Sequence, residues 1–172
     1  YNVAVGKGAL QADTLGSRNT AIGTFSLDAQ NFTSATNSNN TALGYASGSA
    51  VTTGIENTLI GARAGISLTD ADYNTVLGYS ALSAETKGSR SVAIGYSALL
   101  NQNFTSSTDA NNVGIGFEAG KTSTDGCLNG TFIGYQAGDA TLNDATYNVG
   151  IGRSALGGLT TGDYNTAVGG LA

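Results

Sequence analysis

Proline, histidine, methionine and tryptophan are absent from the 172 residues, and cysteine occurs once, as Cys127. Without histidine the chain cannot assemble a Ser-His-Asp triad, a Cys-His pair or a zinc site of His and Cys. A single cysteine gives no internal disulfide framework. Charge is also scarce, with 7 Lys and Arg against 12 Asp and Glu and a formal net charge of −5. Seven scattered bases on an acidic chain are poorly suited to hold a phosphate backbone, so no nucleic-acid partner is expected. No apolar run approaches the roughly 18 residues of a membrane span, so no membrane insertion is expected either. The chain opens on Tyr1 with no leader-like segment, and we expect it to be a piece of a longer one.

What is present is glycine, 26 residues of it, in a strict order. A motif Asn-(Thr/Val)-x-(Ile/Leu/Val)-Gly recurs ten times, ending at Gly6, Gly23, Gly44, Gly61, Gly78, Gly95, Gly116, Gly134, Gly152 and Gly169. The copies are 17 to 21 residues apart. Before each glycine stands an aliphatic residue, among them Ile22, Leu43, Ile60, Leu77, Ile94, Ile115, Ile133 and Ile151. Three before it the residue is always Thr or Val, and three after it always Ala or Ser. A second period overlies the first. The residue four after the glycine runs Leu10, Leu27, Gly48, Gly65, then Leu82, Leu99, Gly120, Gly138, then Leu156. Four coils thus form a superunit of 72 residues, the distance from Gly6 to Gly78. Its boundaries are about 1–72 and 73–146, with a partial third at 147–172, all within one repeat domain, 1–172. Two long spacers take matching places: Gln30-Asn31-Phe32-Thr33-Ser34 and Gln102-Asn103-Phe104-Thr105-Ser106.

A repeat this short excludes helix pairs and fits one coil of a parallel β-solenoid. The alternation of β-branched and aliphatic residues with period 2 predicts a strand in each motif. On this reading Thr/Val and Ile point into the coil as its structural core, and the residue between them forms an outer stripe. The glycine marks a sharp corner with positive φ. The asparagine, present in eight of the ten copies, fits a turn position and can form a side-chain ladder along the stack. Ten coils at ~4.8 Å per strand predict a rod roughly 48 Å long. An apolar stripe on so thin a rod predicts association of chains, most simply as a homotrimer.

The motifs Ser91-Val92-Ala93-Ile94-Gly95 and Asn19-Thr20-Ala21-Ile22-Gly23 resemble the head repeats of YadA-like trimeric autotransporter adhesins. Longer forms such as Tyr164-Asn165-Thr166-Ala167-Val168-Gly169 resemble repeats of phage tail fibres and bacterial surface proteins. The resemblance covers essentially the whole chain. It implies a left-handed parallel β-roll, a trimer and an extracellular binding or spacer role, on a cell surface or in a virion fibre. The coils here are longer than in the adhesin heads.

Candidate sites are few. Asp70 and Asp72, with Asp139 and Asp144 in a matching loop, are weak calcium candidates, because six to eight oxygens are needed and these loops supply few. No carboxylate pair has a partner suited to acid–base work, so neither an enzyme nor a cofactor is expected. The long spacers are candidate recognition loops through Asn31, Phe32, Asn103 and Phe104. Aromatic residues follow the glycine at Tyr45, Tyr79, Tyr96, Phe117 and Tyr135. They can stack on sugars of a host glycan or on a protein partner, or they can stack on one another as ladders. The function expected is a rigid, adhesive, extracellular fibre segment. The alternatives are a filament subunit that stacks end to end and, less favoured because threonine is placed inside, an ice-binding solenoid.

Overall fold

A computed structural model describes residues 1–124, 126–140 and 142–172. Its strands are β1 (Val3–Val5), β2 (Gly16–Ser17), β3 (Thr20–Ile22), β4 (Thr36–Asn37), β5 (Thr41–Leu43), β6 (Thr58–Ile60) and β7 (Thr75–Leu77). They continue as β8 (Gly88–Ser89), β9 (Val92–Ile94), β10 (Thr108–Asp109), β11 (Val113–Ile115), β12 (Thr131–Ile133), β13 (Val149–Ile151) and β14 (Thr166–Val168). The ten three-residue strands are the ten motif copies. They pair in parallel in chain order, β1-β3-β5-β6-β7-β9-β11-β12-β13-β14, which makes an all-β solenoid of about nine turns. Equivalent motif positions pair throughout, as in Thr75↔Val92, Val76↔Ala93 and Leu77↔Ile94. Two small parallel ladders, β2 with β4 and β8 with β10, pin the long spacers back onto the preceding coil.

The corner explains the glycines. All ten have φ between 127° and 142°. A Cβ on Gly44 would lie 2.5 Å from the carbonyl oxygen of Gly61 in the next coil. Successive backbones therefore approach more closely here than any side chain allows.

This close approach narrows the coil and decides which face of the strand is inside. The core expectation is corrected at this point. The residues that fill the interior are the middle ones, Ala21, Ala42, Leu59, Val76, Ala93 and Phe132, all with no exposed surface. Ile22, Leu43, Leu77 and Ile151 lie on the outside, 36 to 45% exposed, and Ile60, Ile94, Ile115 and Ile133 are half-buried on the same face. Period 2 identifies two alternating sets without saying which is inside, and a slip of one residue exchanges them. Size settles it. The interior must also hold the Ala or Ser three residues beyond the glycine and the residue after that, so a column of large aliphatics does not fit.

Inside, volume is traded between facing positions. Leu99 lies against Gly114, where an added Cβ would come within 2.7 Å of its Cγ. Where the strand position is large, at Leu59 and Phe132, the facing positions are Gly48, Gly65, Gly120 and Gly138. Leu27 and Leu99 accept left-handed backbone, with φ 48° and 49°, to reach this interior. Left-handed backbone costs a non-glycine residue about 1–2 kcal/mol, and complete burial of a leucine offsets that with about 1.5–3 kcal/mol.

The corrected register sets a test. Ala93→Asp places a charge in the closed interior and is expected to cost about 4 kcal/mol or more. Asp109→Ala, in the exposed end of β10, should shift the melting transition little. Circular dichroism melts that ranked the two equally would show the interior column to be misassigned.

Candidate functional site

The polar interior fixes the loops. Asn40 Oδ1 accepts from the backbone N–H of Asn57, Asn57 Oδ1 from that of Asn74, and Asn74 Oδ1 from that of Ser91, each at 2.9 Å. The side-chain amides donate to loop carbonyls, Asn40 to Gly54 and Asn57 to Ala71, both at 2.8 Å. Each asparagine thus joins the strand of the next coil to the loop that leads into it. The ladder is structural, as its buried position requires.

Sequence reasoning missed Glu85. Its carboxylate is fully buried, and Oε1 accepts from the N–H groups of Thr86, Lys87, Gly88 and Phe104 at 2.7 to 3.0 Å. Oε2 accepts from Gln102 Nε2 at 2.9 Å, and Gln102 Oε1 in turn accepts from Asn112 Nδ2 at 2.9 Å. One superunit earlier, Gln30 donates to Asp13 at 3.3 Å and accepts from Asn40 at 2.8 Å. An acid followed 17 residues later by glutamine, both seven residues past a corner glycine, was the available signal.

The spacers do not present their phenylalanines. Phe32 and Phe104 are buried, 7% and 2% exposed, and close the base of each long coil. As recognition residues they are corrected to core residues. Asn31 is exposed and Asn103 half-buried, and each accepts from a threonine of the preceding coil, Thr14 and Thr86, at 2.9 Å. The longest solvent-facing runs of the two spacers are 33–35 and 105–107.

The carboxylates expected as calcium candidates serve the backbone or stand alone. Asp72 Oδ1 accepts from Ile55 N–H at 2.8 Å, and Asp70 accepts from Thr69 Oγ1 at 3.0 Å. Asp139 is half-buried and Asp144 exposed. Among the described residues no three His, Cys, Asp or Glu side chains converge as metal ligands. Partial burial, and then the negative charges of Asp70 and Glu56, push the Asp72 carboxyl above its ordinary 3.8, against the Ile55 hydrogen bond and the Arg90 charge. Burial likewise pushes the Cys127 thiol up, and its Sγ donates to the Leu142 carbonyl at 3.2 Å, so it is held as a thiol.

Two surfaces remain. One is the outer face of the ten-stranded sheet, with its Thr/Val column beside its aliphatic column. The other is an aromatic ladder at the corner. Tyr79, Tyr96, Phe117 and Tyr135 stack in sequence at 5.4, 5.2 and 5.2 Å with interplanar angles of 12°, 8° and 7°. A second pair, Tyr147 and Tyr164, stacks at 4.9 Å. The rings use their faces on one another and offer edges and hydroxyls to solvent. Tyr45 stands apart, edge-on to Phe25 at 6.4 Å, because the next coil carries Ala62 at the ladder position. No helix among the described residues is long and apolar enough to cross a membrane. Comparison with protein-family models, curated proteins and solved structures finds no match.

Two outcomes follow from this geometry. Glu85→Gln can keep a carbonyl oxygen toward the four N–H donors but then sets its NH2 group against the Gln102 amide; it is expected to cost about 2–3 kcal/mol in denaturant unfolding, whereas Asp13→Asn, half-buried, should cost less. Asp72 has a raised folded-state pKa, so its ionisation opposes folding. The penalty is complete at neutral pH and fades as the pH falls through the carboxylate range. Asp72→Asn keeps the Ile55 acceptor and should raise the melting temperature at pH 7, with the two proteins converging near pH ~3. A constant difference across that range would disprove the assignment.

Proposed function

We propose that this chain is a segment of an extracellular fibre whose copies associate through the outer face of the main sheet, most simply as a left-handed homotrimeric roll. The resulting rod is a rigid spacer that carries loops and aromatic edges for attachment to a host-surface glycan or protein. The observation that supports this reading is the register of the exposed columns. Val and Thr at the first strand position, and Ile, Leu and Val at the third, lie outside and in line from β1 to β14. At ~4.8 Å per strand such a face covers about 300 Å² or more, the size at which exposed apolar patches mark interfaces. The expected interface thus moves from the middle column, which is buried, to the two columns beside it.

A second reading, ice binding, is supported by the outward threonines. Thr20, Thr41, Thr58 and Thr75 form an unbroken row in register. Val92 and Val113 interrupt it, and the parallel column is aliphatic, so self-association is the better fit.

Light scattering across a range of concentrations tests the proposal. A discrete trimer is expected, and Ile94→Asp together with Leu77→Asp should return it to a folded monomer. Open-ended growth would favour the end-to-end filament. A wild-type monomer that inhibits ice recrystallisation would favour the second reading.

A further inference from the structure

The aromatic ladder has a missing rung. Tyr79 stacks on Tyr96 by one face, so its other face turns toward the preceding coil, where the ladder position is Ala62. One coil beyond Ala62 stands Tyr45, 57% exposed, with Tyr79 48% exposed on the near side. Two coils separate these rings, or about 10 Å at the strand spacing of the stack. A ring placed midway would lie about 5 Å from each, close to the distance that the ladder uses between its own rungs. Ala62, a single methyl group, is the floor.

We infer that this gap over Ala62, between Tyr45 and Tyr79, is a binding slot for one sugar ring of an acidic glycan. The apolar C–H face of a pyranose packs on an aromatic face, and its rim of hydroxyls needs polar neighbours. The tyrosine hydroxyls supply those neighbours where a phenylalanine would not. The acidic preference comes from Arg63, the residue after Ala62. Among the described residues the ion pairs are Arg90 with Asp109 and Lys121 with Glu118, and exposed Arg63 is in neither. The positions beside it in the stack are Ala46 and Ser80, both uncharged. A carboxylate on the bound sugar would meet the guanidinium without displacing an intramolecular partner. From Tyr79 to Tyr135 the ring faces between successive rungs cover one another, so no second gap of this kind opens inside the ladder.

The inference rests on the extracellular reading but not on the number of chains in the rod. The probe is a set of oligosaccharides that end in glucuronate, with glucose oligomers of the same length as the neutral control, titrated by calorimetry into the whole chain. Saturable binding is expected, tighter for the glucuronate series. Ala62→Phe adds the missing rung, should fold as well as wild type, and should weaken binding at least about tenfold. Tyr79→Ala should do the same. Arg63→Ala should abolish the preference for acid while keeping weak binding, and Tyr135→Ala, at the far end of the ladder, should change nothing. Absence of saturable binding to the wild type, or unchanged binding by folded Ala62→Phe, overturns the slot. So does a fall in the mass of Tyr79→Ala in light scattering, which would mean that another copy's side chain fills it. A wild type that self-associates yet binds no sugar removes the slot and leaves the fibre reading intact.

Discussion

The structure depends on how closely one backbone turn lies on the next. At each corner but the last a glycine stacks on the carbonyl of the following corner glycine, with φ between 127° and 142° and no space for a Cβ. That contact sets the cross-section of the coil. A narrow coil admits one small residue from the strand, one small residue from the opposite wall and one leucine. Where the strand residue is large, as at Leu59 and Phe132, glycine takes the leucine's place, and the columns on the other face of the strand stay outside. The exposed apolar face is therefore a consequence of the corner, and the same geometry that closes the coil produces the surface through which copies could pack.

A thin interior also cannot hide backbone groups that lack partners. The asparagine ladder answers this by pairing every motif amide with the loop and the next coil. It works for the short coils, whose loops bring a carbonyl to the asparagine amide. The long coils change that pattern: Asn19 donates to Ser38 Oγ instead, and Asn40 and Asn112 donate both to a loop carbonyl and to a glutamine with an acid behind it. Glu85 shows how completely this can be done, since four backbone N–H groups and an amide surround one carboxylate. The charge needs no cation because the donors converge on it. The sizes of the apolar residues follow the same logic of compensation, with leucine or phenylalanine on one wall facing glycine on the other.

Much of this is legible in the sequence. The ten motifs are the ten strands, the corner glycines carry positive φ, and the asparagines form a ladder, because each of these follows from a repeated column of one residue type. The face of the strand was not legible from alternation, since Thr-Ala-Ile reads equally well with either set inside. The smallness of Ala21, Ala42 and Ala93 held the answer, but only once the width of the coil was known. Phe32 and Phe104 misled for a related reason. They sit in the longest loops, where exposure is the usual state, yet the loops fold back through β2–β4 and β8–β10 and turn these rings inward. Glu85 was hidden because its signal is a pairing with Gln102 at the same place in the next coil, which the acid taken alone does not display.

A solenoid separates stability from recognition more cleanly than a globular core does. Columns that face inward are constrained by their neighbours above and below, so they vary only in compensating pairs. Columns that face outward have no such partner and can change coil by coil. The ladder position shows this freedom: it runs Lys7, Thr24, Tyr45, Ala62, Tyr79, Tyr96, Phe117, Tyr135 and Arg153 without disturbing the strands beneath. Where similar rings fall on successive coils they stack and close the faces between them, as Tyr79 to Tyr135 do. Where the series is interrupted, a face is left open. On such a scaffold a site need not be a cavity carved from the core; a break in an otherwise regular column is enough to make one coil chemically distinct from its neighbours.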